Sequence, residues 1–414
     1  MNLKKIKIKE IRNYIIYGSG QFINLLSPLL IAPYVISVCG IEQWGKIGAA
    51  TSVYIILGIF IDFGSQLLGV KEISSNKNNQ ENVRNYLSIT YAFRLIVLLL
   101  ISTGCILFFI TFRNLDFKLY SWGLWALIAQ FFNPIWFYIG VENFKRINKI
   151  IIVSKTVYIL FVYLIVKQKS DYIYVVFLLG LSNTLVYSYY YFKIFKTYDM
   201  SLLSVSKSKL ISNVKKEFPI VISNLSISVY TNFPILIIKF VLGDFYAGIY
   251  KIGDMFLNIL RSYLVVFFNV SFPKFCNLYG INKNEAILYL KRINIVNITF
   301  LLLMIIVLYF VSFFLINTFE IDQKLKDSFL FCTNFLFISL IIALNVPFYQ
   351  ILLLKNRQKN IARISFFGAM LMFVSCYFLS LNFNLKGSII SIYVVETFIT
   401  ICIIMASISL KRNE

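Results

Sequence analysis

The stretch YLSITYAFRLIVLLLISTGCILFFITF, residues 86–112, carries a single charge, Arg94, in 27 residues. Crossing a hydrocarbon core about 30 Å thick takes about 20 apolar residues in a helix, so this stretch is long enough. Hydrocarbon offers no water to the backbone, which leaves a helix as the form such a segment takes. An arginine inside it costs about 3 kcal/mol or more unless it faces a partner or a water-filled cavity. The stretch predicts membrane helices that enclose a polar interior.

Outward from it the pattern recurs. Further spans are expected near residues 12–38, 44–70, 118–141, 148–167, 171–195, 216–240, 246–270, 293–317, 329–353, 361–381 and 387–409. With 86–112 these make an all-α polytopic membrane protein of twelve expected transmembrane helices. A hydrophobic fraction of 59% and a mean hydropathy of +0.78 exclude a soluble domain of this length. The net charge of +22 does not read as a nucleic-acid surface, because the basic residues sort by loop and form no single patch. Of 40 lysines and arginines, 27 fall on one side of the expected membrane, 8 on the other and 5 within spans. The positive-inside rule then predicts cytoplasmic N- and C-termini.

Lys4 to Lys9 ahead of an apolar run has the look of a signal peptide, but the run is too long and lacks a small-residue cleavage site. It is expected to stay as the first span. Cys39, Cys105, Cys276, Cys332, Cys376 and Cys402 show no metal-ligand spacing and read as inert apolar residues. Histidine is absent, which excludes a His metal site, a His-based triad and a His proton relay. No metal and no cofactor is expected.

The two halves share a pattern. The first span holds Asn24, Pro28 and Pro33 ahead of Gly40-x4-Gly45, and the seventh holds Asn224 and Pro234 ahead of Gly243-x4-Gly248. Span four has Asn133 and Pro134 before the basic ENFKRINK, and span ten has Asn345 and Pro347 before KNRQKNIAR. Chance agreement among common helix-interface residues is one reading. The other is a repeat: two six-helix lobes, 1–200 and 216–414, joined by a basic cytoplasmic linker at 201–215, with a substrate site between them.

On three segments, LIAPYVISVCGIEQWGKIGAATSVYIILGIFIDFGSQ at 30–66, NPIWFYIGVENFKRI at 133–147 and LGDFYAGIYKIGDMF at 242–256, the chain resembles the Wzx-type polysaccharide-repeat flippases. These form a branch of the multidrug/oligosaccharidyl-lipid/polysaccharide (MOP) superfamily. The resemblance runs through the whole chain, although its Gly, Pro and aromatic positions identify the superfamily better than the substrate. It implies a bacterial inner-membrane protein that turns undecaprenyl-diphosphate-linked O-antigen or capsule repeat units to the outer leaflet through a cationic cavity. Polyprenyl-diphosphate-linked oligosaccharide and membrane lipids are the implied partners, with polysaccharide polymerase and chain-length proteins downstream.

Five basic residues, Arg94, Lys155, Lys239, Lys251 and Arg261, remain once those counted with the loops are set aside, and three acids, Asp62, Asp254 and Glu396, join them within the spans. Lys155 and Lys239, placed near span ends, are expected to snorkel to the headgroups. Lys251, Asp254, Asn258 and Arg261 are spaced i, i+3, i+7 and i+10, which puts them within an arc of about 80° on one helix face. This stripe is the sharpest candidate: Arg261 as principal diphosphate ligand, Lys251 second, Arg94 contributing from the other lobe, and Lys239 and Asn258 in support. Two further polar stripes, Asn224, Ser228, Asn232 and Lys239 in span seven and Tyr17, Gln21, Asn24 and Pro28 in span one, either face the cavity or mediate helix packing. Asp62, Asp254 and Glu396 are candidates for coupling to an H+ or Na+ gradient, although Asp254 equally reads as neutralising Lys251 and Arg261. Pro28, Pro33, Pro134, Pro234 and Pro347 are hinge candidates for alternating access.

Two other functions fit a chain of this kind. A drug or metabolite cation antiporter of the same superfamily calls for an acid-dominated cavity. A membrane-embedded polymerase or ligase needs a catalytic outer loop, and the longest one expected, 317–328, is short. No nucleotide-binding motif marks an ATP-driven pump.

Overall fold

A computed structural model describes residues 20, 23–24, 26–111, 116–202, 205–318, 333–355 and 357–412. The expected residues Tyr17, Gln21 and Cys332 and most of the loop at 317–328 lie outside these. The described residues are almost wholly helical, and nine helices among them are long and apolar enough to cross a membrane.

The chain divides into two compact units, Met1–Ser228 and Val229–Glu414. The first contains α1 (Leu26–Cys39), α2 (Ile41–Asp62), a π-helical turn (Ser65–Gly69), α3 (Val70–Ser75) and α4 (Gln80–Thr111). There follow α5 (Phe117–Gly123), α6 (Trp125–Phe132), α7 (Ile135–Gly140), α8 (Phe144–Ile165) and α9 (Tyr172–Tyr198). Helix α10 (Lys207–Asn232) carries the chain from the first unit to the second. The second unit holds α11 (Pro234–Leu242), α12 (Asp244–Ile281), α13 (Lys283–Thr318), α14 (Asn334–Leu354) and α15 (Gln358–Arg412).

Breaks in the backbone and the extent of α10 relate the helices to the expected spans. Span four is divided into α5, α6 and α7: between α5 and α6 Leu124 keeps right-handed backbone angles, whereas between α6 and α7 Pro134 drives Asn133 out of the helical region to ψ 109°. The stretch labelled α15 is two helices that meet at a kink, where Asn384 adopts φ 53° and ψ −139°, between the expected spans eleven and twelve. Residues 207–215, assigned to the linker, form the first turns of α10, and the division between units falls later, after Ser228.

The Gly-x4-Gly motifs share one backbone. Gly40 (φ 95°, ψ 162°) and Gly243 (φ 93°, ψ 176°) each precede a helix in a conformation open almost only to glycine. Their second glycines, Gly45 and Gly248, are both buried within the helices that follow.

Each unit has its own core. In the first, Trp136, Tyr91 and Tyr138 are buried completely or nearly so, and α6 and α9 approach so closely that a Cβ on Gly180 would stand 2.5 Å from the Ala126 backbone nitrogen. In the second, Leu260 and Leu264 of α12 pack with Leu301 and Ile305 of α13 and Leu336 and Ala343 of α14. Large apolar side chains also cover the outside, among them Leu99, Leu100 and Leu107 on α4 and Val307 and Phe310 on α13. Lipid tails are as apolar as leucine, so such a surface is at home in a bilayer.

Candidate functional site

The first unit builds its charge site at two helix breaks. Helix α2 stops at Asp62 because Phe63 (φ 44°) and Gly64 (φ 81°) are both left-handed, and the chain restarts as the π-helical turn. The α6 to α7 break leaves the carbonyls of Phe131 and Asn133 without their usual helical donors. Arg94 of α4 lies between the breaks. Its Nη2 donates to Asp62 Oδ1 at 2.9 Å, and its Nη1 donates to the carbonyls of Asn133 at 3.3 Å and Phe131 at 3.5 Å. The rings of Tyr91 and Trp136 each lie 5.4 Å from the guanidinium, and Gln130 Nε2 donates to the same Asp62 oxygen at 3.4 Å.

Arg94 is 0% exposed. The structure therefore places it as a locked cation that fastens two broken helices, and corrects its expected place on a cavity wall. Asp62 is tied up in the same knot. The loop arithmetic of the sequence also hid a buried acid: Glu217 of α10 is 2% exposed and accepts from the Tyr86 hydroxyl at 2.8 Å, beside an ion pair between Lys216 and Glu72. It was missed because it sits in the first residues of its expected span, where an acid reads as cytoplasmic.

In the second unit the α12 stripe is present on a continuous helix but is divided by its partners. Lys251 Nζ lies 3.1 Å from Asp254 Oδ2, an i,i+3 pair. Arg261 Nη2 donates to Glu396 Oε1 of α15 at 2.8 Å, with side chains 18% and 4% exposed. Among the described residues Arg261 engages no other hydrogen-bond acceptor, so most of its fork of N–H groups stays unspent. That is the contrast with Arg94: Arg94 is fully buried and spreads its two terminal nitrogens over three acceptors, with Nε left without one, whereas the partly exposed Arg261 has a single acceptor. Asn258 is half-buried between the two pairs.

Lys239 pairs with Asp244 at 3.1 Å around the Gly243 turn, which gives it a salt partner instead of a headgroup. Asn224 is half-buried and Asn24 exposed. Of the hinge candidates, Pro134 sits at a true break and Pro234 opens α11 at its first turn, a position that needs no backbone N–H. Pro28 and Pro33 lie within α1 and Pro347 within α14, helices that continue through them. Pro219 in α10 and Pro273 in α12 are two further interior prolines that the repeat comparison passes over.

Lys155 does not lie near a helix end. It stands at the midpoint of α8, half-buried, and among the described residues it has neither an acid nor a hydrogen-bond partner.

Residues 11–279 match the sequence signature of the family described as "Polysaccharide biosynthesis protein". The chain belongs to that family. Two relatives carry the description "Putative O-antigen transporter". One, from Escherichia coli (strain K12), is 23% identical over 301 residues, 70% of each chain. The other, from Shigella dysenteriae, is 18% identical over 399 residues, covering 95% of this chain and 98% of its own. The fold is that of the MOP superfamily. An inward-facing multidrug resistance MATE family transporter superposes with a TM-score of 0.72 at 16% identity, covering 94% of this chain and 96% of its own. A MOP superfamily transporter from Pyrococcus furiosus, described by the reversed polarity of its binding pocket, gives 0.61 at 14% identity, covering 96% and 94%.

Proposed function

We propose that this member of the polysaccharide biosynthesis family is a flippase. It carries polyprenyl-diphosphate-linked oligosaccharide repeat units from the cytoplasmic to the outer leaflet of a bacterial inner membrane. The observation that carries the reading is Arg261, a guanidinium held by Glu396 from one side with its other donors unspent, inside a helix bundle. A lipid diphosphate brings up to about three negative charges that must cross hydrocarbon, and a guanidinium fork pairs with phosphate oxygens two at a time. Glu396 keeps Arg261 neutralised and pointed until an anion takes its place. The polyprenyl tail stays in lipid while the head group moves, and hinges at breaks such as Pro134 serve alternating access. Glu396, Asp254 and Asp62 are the acids at which an H+ or Na+ gradient would act, Glu396 foremost because its protonation would release Arg261.

The test is a deletion strain that lacks any related flippase. Repeat units should assemble on their lipid carrier and remain on the inner leaflet, and surface polysaccharide should be lost. Normal surface polysaccharide in that strain would sink the proposal. The fold shared with a multidrug transporter favours drug export as the second reading. Unchanged drug sensitivity in the same strain separates the two.

A further inference from the structure

Four of the five basic residues inside the spans have a carboxylate within 4 Å: Arg94 has Asp62, Lys239 has Asp244, Lys251 has Asp254 and Arg261 has Glu396. Lys155 is the fifth. Among the described residues the positive surplus within the spans therefore comes down to one side chain.

Its position removes the ordinary explanations. Helix α8 has 22 residues, and Lys155 stands 11 residues from its first, about 16 Å along the axis at 1.5 Å per residue. A lysine side chain reaches about 6 Å, too short to bring its ammonium to either headgroup layer from there. The side chain is not on the lipid face either. Ile147, Ile150, Ile151, Ser154, Tyr158 and Val162 form the buried stripe of α8, while Ile152, Val153, Leu160 and Leu164 form the exposed one. At 100° per residue Lys155 lies about 70° from the centre of the first and about 140° from the centre of the second.

That edge borders α1 and the residues just before it. Gly20 abuts Asn148 below Lys155, and above it the Tyr163 hydroxyl donates to the Leu30 carbonyl at 3.3 Å and the Tyr34 hydroxyl to the Val166 carbonyl at 2.7 Å. Between those contacts α1 carries Ser27, 1% exposed, whose hydroxyl has no hydrogen-bond partner among the described residues. An ammonium with no acid partner among the described residues, on an edge of α8 that borders an α1 carrying an unsatisfied buried hydroxyl, has the chemistry of a surface that takes an anion.

We infer that Lys155 is an anion-binding residue of the first unit and receives the diphosphate of the lipid-linked substrate. This rests on the flippase reading above. It gives the first unit its own head-group contact, in the place that the sequence assigned to Arg94.

Full-length protein in lipid nanodiscs, titrated with farnesyl diphosphate, tests it. Lys155→Met and Lys155→Gln should each weaken binding about tenfold or more, and should flatten the decline of affinity with salt. Lys155→Arg should bind within about threefold of the natural chain, since charge and donors survive. A loss below threefold in the Met or Gln variant would overturn the inference and leave the flippase reading standing. Failure of both variants to fold would make Lys155 structural and would also overturn it. If the natural chain bound no farnesyl diphosphate, the flippase reading and this inference would fall together.

Discussion

At the residue scale, identical chemistry serves opposite ends. Arg94 and Arg261 are both arginines inside apolar helices paired with an acid, yet one is sealed and the other is 18% exposed with donors left over. Removing one partner of a buried pair leaves an uncompensated charge and costs about 3–5 kcal/mol. Arg94→Ala should therefore lower the melting temperature of the purified protein, and Asp62→Asn combined with Arg94→Gln should recover part of the loss. Arg261→Ala should instead fold and insert normally but fail to restore surface polysaccharide to a deletion strain, while Arg261→Lys should restore some, because charge survives and the bidentate fork does not. Both variants behaving alike in stability and transport would erase the distinction. Asp254→Asn isolates a third pair: with Lys251 3.1 Å away, the acid reads as a local counter-charge, so transport should persist with altered substrate affinity. Loss of dependence on the proton gradient would make Asp254 the coupling acid. The sequence exposed these residues by type and depth. It did not pair Arg261 with Glu396, because their contact spans 135 positions and no helical spacing encodes it.

At the element scale, breaks carry the information. Gly40 and Gly243 hold nearly the same φ and ψ ahead of α2 and α12, which gives the repeat seen in letters a counterpart in backbone geometry. Nothing lies within 4 Å of where a Gly243 Cβ would stand, so Gly243→Ala tests conformation alone, free of any clash. A non-glycine residue held there costs about 1–3 kcal/mol, and thermal unfolding should show a drop of that size. No change would mean that the turn relaxes and that glycine is not required. The interruptions at Pro134 and Gly64 differ in legibility. Proline announces its break, whereas the paired left-handed residues Phe63 and Gly64 depend on the packing of their surroundings, including Glu217 and Ile220 beside Gly64.

At the scale of the whole molecule, the basic asymmetry predicts that both termini face the cytoplasm. A C-terminal reporter should be active only inside, and a cysteine placed at Lys207 should resist labelling by an impermeant reagent from outside; periplasmic activity of the reporter would overturn the orientation. The all-helical membrane fold was legible in the sequence alone, because in hydrocarbon each backbone group must be satisfied within its own segment and the decision is local. The candidate charges were legible for the same reason, since each is an exception in an apolar run. Which of them are spent and which remain available was not. Arg94 is buried because one distant helix break turns carbonyls toward it and another places the Asp62 carboxylate beside it, Lys239 is neutralised across a glycine turn, and Lys155 has no acid partner among the described residues because its helix presents that edge to α1. These outcomes depend on which helix lies beside which. Only the tertiary structure decides that, because neutralising a charge requires a partner within a few ångströms, however far away it lies in the chain.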